Sequence, residues 1–150
     1  MSQQMEQTRV TNNLTESTLW MSGSREDEKR PPHPEWNGKR VRFPHRPEVY
    51  LIDRGYRRHI PDIETYNNLF RDETGIEDMD INTIPEDTPL SRDACLARVA
   101  GTAPVYLVDR GVKRHILTPS VMDRYHFSWR RVQNVPRTVL DPIPAGPAIG

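Results

Sequence analysis

Two short basic strings carry the residue types best suited to recognition chemistry, Arg57-Arg58-His59 and Lys113-Arg114-His115. A guanidinium forks onto a carboxylate or phosphate through paired N–H donors, and an imidazole changes charge near neutral pH. Tyr50 and Tyr106 precede the two strings at the same distance. The pattern therefore fits an anionic sugar or a polyanion held on an aromatic and basic face. The competing reading is that alternate residues face solvent and arginine stems cover a sheet edge, which discourages strand-to-strand aggregation.

Other reactive types are present without the partners that chemistry needs. His59 and His115 hold equivalent positions, suited to facing each other across a pseudo-twofold axis. With His33, His45 or His126 they would have to hold a metal with no close His-x-His or His-x₃-His pair, so no metal is expected. Cys95 lies in Asp93-Ala94-Cys95-Leu96-Ala97, an apolar setting in which a buried, inert thiol is expected. No Gly-x-Ser-x-Gly elbow, phosphate-cradling glycine loop or His-Glu-x-x-His occurs. Glu64 and Asp123 fall at different repeat positions and form no shared acid–base pair. The chain is read as a non-enzyme without a cofactor. Trp129, after Phe127-Ser128, is either a sugar-stacking platform or core packing between the copies.

These strings belong to a duplicated phrase. Val49-Tyr50-Leu51-Ile52-Asp53-Arg54-Gly55-Tyr56-Arg57-Arg58-His59-Ile60 returns 56 residues later as Val105 to Ile116, with nine of twelve positions identical. Repetition of this kind marks tandem copies of one structural unit. The β-rich runs around Asp53-Arg54-Gly55 and Asp109-Arg110-Gly111 predict hairpins, with Gly55 and Gly111 supplying positive φ. A three-residue loop would set Ile52 opposite Tyr56 and Tyr50 opposite Arg58, whereas a two-residue loop shifts that pairing. Asp53 and Asp109 are expected to accept backbone hydrogen bonds within the turns.

A short helix follows each hairpin, with Asp62 and Thr118 as N-caps and Pro119 in a first turn. Ala97-Arg98-Val99 aligns with Val41-Arg42-Phe43, which places a leading strand before each hairpin. Ile81-Asn82-Thr83-Ile84-Pro85 matches Val132-Gln133-Asn134-Val135-Pro136 at an offset of 51, implying five extra residues in the first copy around Asp72–Asp78. The expected fold is α+β, with two pseudo-symmetric units (39–96 and 97–150) that share a core, since neither alone buries enough surface. Residues 1–38, rich in Gln, Asn, Ser, Thr and charge, read as a flexible tail and linker. Within them Leu14, Leu19, Trp20 and Met21 form a sticky segment suited to docking on the body or on a neighbouring subunit.

Composition narrows the partners. Lys+Arg and Asp+Glu each number 21, giving zero formal charge and no general pull toward nucleic acid. No apolar run approaches the roughly 18 residues of a membrane span. A single cysteine forms no internal disulfide, and the polar N-terminus lacks the apolar stretch of a secretory signal. The default address is the cytoplasm, with export by a signal-less route as the other option.

The phrase Val-Tyr-Leu-Val-Asp-Arg-Gly-Val-Lys-Arg-His-Ile at 105–116, with the proline-started helix after it, resembles short tandem repeats of bacterial surface-associated or uncharacterised proteins, some attached to wall-active enzymes. The resemblance covers residues 41–149. It implies a repeat fold in tandem and brings no catalytic set with it. The resulting expectation is a binding module for a glycan or another repetitive partner. Its site residues would be Tyr50, Arg57, Arg58, His59, Tyr106, Lys113, Arg114, His115 and Trp129. The alternative is a self-assembling structural or secreted effector-like protein, homo-oligomeric through its tail.

Overall fold

Each copy of the duplicated phrase folds as a β-hairpin, β2 (Tyr50–Asp53) with β3 (Tyr56–His59) and β6 (Val105–Asp109) with β7 (Val112–Ile116). The computed structural model describes residues 30–150, so the sticky segment and most of the expected tail lie outside the described residues. Both turns contain two residues. Asp53 pairs with Tyr56 and Tyr50 with His59, and Asp109 pairs with Val112 and Tyr106 with His115. The three-residue register is therefore replaced by the shorter one. Its cause is positive φ at both central positions, 54° and 85° at Arg54 and Gly55, 52° and 79° at Arg110 and Gly111. That is the type I′ signature, whose twist matches the strands it joins. Arginine is strained there by about 1–2 kcal/mol. Each side chain is anchored in compensation, Arg110 Nε donating to the Pro89 carbonyl at 2.6 Å and Arg54 lying 3.7 Å from Asp87.

Leading strands β1 (Arg40–Arg42) and β5 (Cys95–Val99) run antiparallel to β2 and β6. On their far sides β4 (Glu77–Asp78) and β8 (Gln133–Val135) run parallel to them. Two four-stranded sheets result, ordered β3-β2-β1-β4 and β7-β6-β5-β8. The α+β, two-unit expectation is met.

The position of the length difference between the copies is corrected. Val41 pairs with Glu77 and Ala97 with Gln133, so the spacing of 56 survives through the fourth strand. The outer edges of β3 and β7 are then covered by residues 85–90 and 144–149. Arg57 N donates to Pro85 O and Leu90 N to His59 O, while Lys113 N donates to Pro144 O and Ile149 N to His115 O. Pro85 and Pro144 are thus equivalent at a spacing of 59, and the second copy holds three more residues. There α3 (Arg137–Leu140) occupies the place of the short 3-10 turn Ile81–Thr83. The likeness of Ile81–Pro85 to Val132–Pro136 is one of composition, and backbone pairing overrides it. Prolines at 85, 89, 144 and 147 suit these covering segments, because a residue without an N–H cannot recruit a further strand.

Helices α1 (Ile63–Leu69) and α2 (Pro119–Arg124) start as their sequences predict. The Asp62 carboxylate accepts from Thr65 N at 2.8 Å and the Thr118 hydroxyl from Val121 N at 3.2 Å. Both helices feed one core built from both units, in which Leu51, Ile60, Leu69, Phe70 and Leu90 pack with Leu96, Leu107, Ile116, Met122, Tyr125 and Phe127. A smaller cluster, Val41, Ile52, Ile81 and Ile84 with Trp36, fills the other face of the first sheet. Residues 33–38, expected within the linker, close onto the first hairpin instead. His33 N donates to Gly55 O, Gly38 N to Ile52 O, and Gly55 N to Asn37 Oδ1. Among the described residues no helix is long and apolar enough to cross a membrane.

The two turn glycines differ in surroundings. A Cβ on Gly55 would lie 2.7 Å from His33 N and from Pro32 Cβ, whereas one on Gly111 meets nothing within 4 Å. Gly111→Ala should destabilise by about 1 kcal/mol through backbone strain alone, and Gly55→Ala by clearly more. Urea unfolding of both variants measures this, and equal losses would contradict the packing of residues 32–34 on the first turn.

Candidate functional site

Arg58 and Arg114 do not reach a surface. In the hairpin registers Arg58 stands opposite Leu51 and Arg114 opposite Leu107, on the faces turned to the shared core. There they cross between units. Arg58 Nη2 donates to Asp109 Oδ2 at 2.5 Å and Nη1 to Asp53 Oδ2 at 3.1 Å. Arg114 is bidentate on Asp53, at 2.5 and 3.0 Å. Side-chain exposure of the four residues is 2–6%. The Nε atoms reach the covering segments, Arg58 to Thr88 O at 2.7 Å and Arg114 to Pro147 O at 2.8 Å. The second oxygen of Asp109 accepts from Ser91 N and Oγ at 2.8 and 3.0 Å. Both earlier readings of these residues are corrected: the arginines are neither ligands nor solvated edge cover, and the aspartates bind guanidinium rather than their own turns.

Burial pushes the Asp53 carboxyl up, but the Arg114 hydrogen bonds and charge, with those of Arg58, outweigh it and hold the carboxyl below its ordinary value. Arg58 loses by burial and gains more from Asp109 and Asp53, so it stays protonated. Two arginines and two aspartates, joined by three ion pairs, make a neutral cluster with its donors and acceptors filled. It is a structural clasp.

The remaining repeated residues assemble on the opposite faces. Arg57 lies over the Tyr50 ring at 5.3 Å, and His59 stacks at a tilt on Tyr50 at 5.2 Å. Lys113 lies over Tyr106 at 5.6 Å, and His115 meets Tyr106 at 5.4 Å. Cross-strand pairing of Tyr50 with His59 and of Tyr106 with His115 sets this geometry. Each histidine thus sits beside the tyrosine of its own hairpin, and the arrangement of His59 facing His115 does not occur. Arg57 is buried and Lys113 only half-buried; Arg57 Nε donates to Ile84 O at 2.9 Å and its Nη2 lies 3.7 Å from Glu86 Oε1, while Lys113 Nζ reaches Leu140 O at 3.0 Å. The outcome is two matching platforms of tyrosine, cation and imidazole.

Trp129 is 44% exposed, which overturns its reading as packing between the copies. It stands in a 3-10 turn (Trp129–Arg131) beside a groove of about 730 Å³ lined by Asn67, Phe70, Arg71, Asp72 and Arg130 as well. A second hollow of about 490 Å³ opens at the end of the first hairpin. His59, Arg42, Glu73 and Asp62 border its floor of Val49, Ile60 and Ile76.

Cys95 is half-buried, and burial, with a smaller push from Asp93, raises its thiol, so a reactive thiolate is disfavoured. Asp123 pairs with Arg71. Among the described residues no three His, Cys, Asp or Glu side chains converge as metal ligands. Sequence reading missed Arg40, buried on the core face of β1. It donates to Tyr66 Oη at 2.6 Å and to the carbonyls of Asp72 and Thr74 at 3.0 and 2.5 Å, and so fixes the loop between the groove and the hollow. No family model matches the chain, and neither a curated protein nor a solved structure resembles it significantly.

A depressed Asp53 pKa means stability that is present above its unfolded value near 4 and lost as pH falls through the folded value. Asp53→Asn should cost about 3–5 kcal/mol at pH 7, because Arg58 and Arg114 lose a buried counter-charge. The variant should also lose less stability than wild type between pH 5 and 3 by urea unfolding. An unchanged acid slope would show that Asp53 is not the acid-sensitive group.

Proposed function

We propose that the protein is a non-enzymatic binding module for a repetitive acidic partner, foremost an acidic glycan, and that its two Tyr–cation–His platforms are the contact points. One observation carries the reading. Tyr50–Arg57–His59 and Tyr106–Lys113–His115 keep the same ring and cation distances within a few tenths of an ångström, although Arg57 is replaced by Lys113. An aromatic face offers apolar area to a sugar ring, and the imidazoles with Lys113 suit a carboxylate, while Arg57, buried and beside Glu86, holds the Tyr50 ring in place.

Placement determines how such a module works. Alternation along β2–β3 and β6–β7 turns Leu51, Arg58, Leu107 and Arg114 toward the common core and the platforms away from it. Two platforms turned away from the common core, open at the half-buried Tyr50, His59, Tyr106 and His115, bridge separate segments of a polymer; they do not clamp one short segment. The gain from duplication is then cross-linking valency.

Light scattering with polygalacturonate as acidic polymer and dextran as neutral control tests this. Wild type should bind and cross-link the acidic polymer alone. Tyr50→Ala or Tyr106→Ala should bind with cross-linking sharply reduced, and the double variant should not cross-link. Absence of binding, or cross-linking by either single variant at wild-type level, would refute the two-platform reading.

A further inference from the structure

The seam between the units forms a groove that neither unit possesses alone. Its backbone is stitched across the boundary, with Ser128 N donating to Leu69 O at 2.8 Å, Arg71 N to His126 O at 3.0 Å, and Phe70 bridged to Phe127. The Phe70 and Phe127 rings stack with centroids 5.5 Å apart beneath it. The first unit thereby contributes Asn67, Arg71 and Asp72, and the second Ser128, Trp129, Arg130 and Arg131.

The charge of this groove is one-sided. Asp72 is its lining acid, and its Oδ1 lies 2.7 Å from His126 Nε2 and accepts from Thr74 N at 2.9 Å. Arg71 pairs with Asp123, and its Nε donates to Phe127 O at 3.0 Å. Arg130 and Arg131 are exposed, with no carboxylate among the described residues within ion-pair distance, and the buried Arg40 guanidinium lies 5.8 Å from the Phe70 ring. A positive excess therefore surrounds an exposed indole. Exposed tryptophan next to arginine is the composition that concentrates binding energy at interfaces.

Comparison of the two units shows what the fold does without. Counting back from the equivalent residues Glu77 and Gln133, Glu73-Thr74-Gly75 stand where the second unit has Trp129-Arg130-Arg131. The first unit forms its parallel fourth strand with those unlike residues, so the indole and both arginines are dispensable for the unit's architecture.

We infer that this inter-unit groove is a separate anion site for a small ligand with a ring that offers a broad stacking face and a phosphate, sulfate or carboxylate group. The ring stacks on Trp129 while the anionic group is met by Arg130, Arg131 and the flank of Arg71. The aromatic ring of a nucleotide and the pyranose face of an acidic sugar share this chemistry. The site is single and stands apart from the paired platforms.

Calorimetric titration of the whole chain tests it with adenosine 5′-monophosphate, glucose 6-phosphate and glucuronate, beside adenosine, glucose and inorganic phosphate. At least one ring-bearing anion should bind at one site per chain, more tightly than phosphate or either neutral compound. Preference for adenosine 5′-monophosphate assigns the ring as a base, and preference for glucose 6-phosphate or glucuronate assigns it as a pyranose. Trp129→Ala and the double change Arg130→Gln with Arg131→Gln should each weaken binding by roughly tenfold or more. Tyr50→Ala with Tyr106→Ala should leave it intact, which separates this site from the platforms. Failure of all probes to bind, phosphate binding as tightly as the ring compounds, or affinity unmoved by the Trp129 and arginine changes would overturn the inference.

Discussion

The crossed ion pairs between the hairpin tips are the constraint on which the rest of the architecture depends. Two guanidinium groups and two carboxylates lie inside the body at 2–6% exposure, where an unpaired charge is costly and a paired one gains strength from the low dielectric. Replacing such a set wholesale by apolar residues is often neutral for stability. Its contribution here is direction. Arg58 joins its own hairpin to Asp109 of the other and to the covering segment at Thr88, and Arg114 does the same with Asp53 and Pro147. Three elements per arginine are thereby held in one relative position, and greasy contacts alone do not specify position so narrowly.

The clasp departs from symmetry where the chain does. Leu90 and Ile149 occupy equivalent positions on the covered edges, so Gly150 stands where the first unit has Ser91. Ser91 fills one oxygen of Asp109; Gly150 has no hydroxyl to offer Asp53, and both Asp53 oxygens take guanidinium bonds instead. A similar substitution operates at β1 and β5, where buried Arg40 braces the loop after α1 and Leu96 at the matching place simply packs.

Much of this was legible in the residues. The duplicated phrase announced the units, Gly55 and Gly111 announced the turns, and Asp62 and Thr118 announced the helix starts. Each of those signals is local, set by a few neighbouring dihedrals. The burial of Arg58 and Arg114 is not local, because their partners lie 51 and 61 residues away. A partial signal existed all the same. Period-2 alternation puts Leu51 with Asp53 and Arg58 with Ile60 on single faces, so an acid and a base point to the core together. Composition misled at Ile81–Pro85, where an aliphatic pair closed by proline recurs out of structural register. Trp129 misled by the opposite route: a large aromatic is normally buried, and the seam between units keeps this one open.

A chain holding one unit would bury an aspartate and an arginine with half of their partners missing. A second copy about a true twofold axis would restore them, so such a chain would be driven to form homodimers. Joining both copies in one polypeptide fixes that pairing at every concentration. It also releases the halves from identity, since in a homodimer any residue change appears on both sides of the axis. Glu73-Thr74-Gly75 in one unit and Trp129-Arg130-Arg131 at the equivalent place in the other are a difference that only covalent fusion lets one molecule carry.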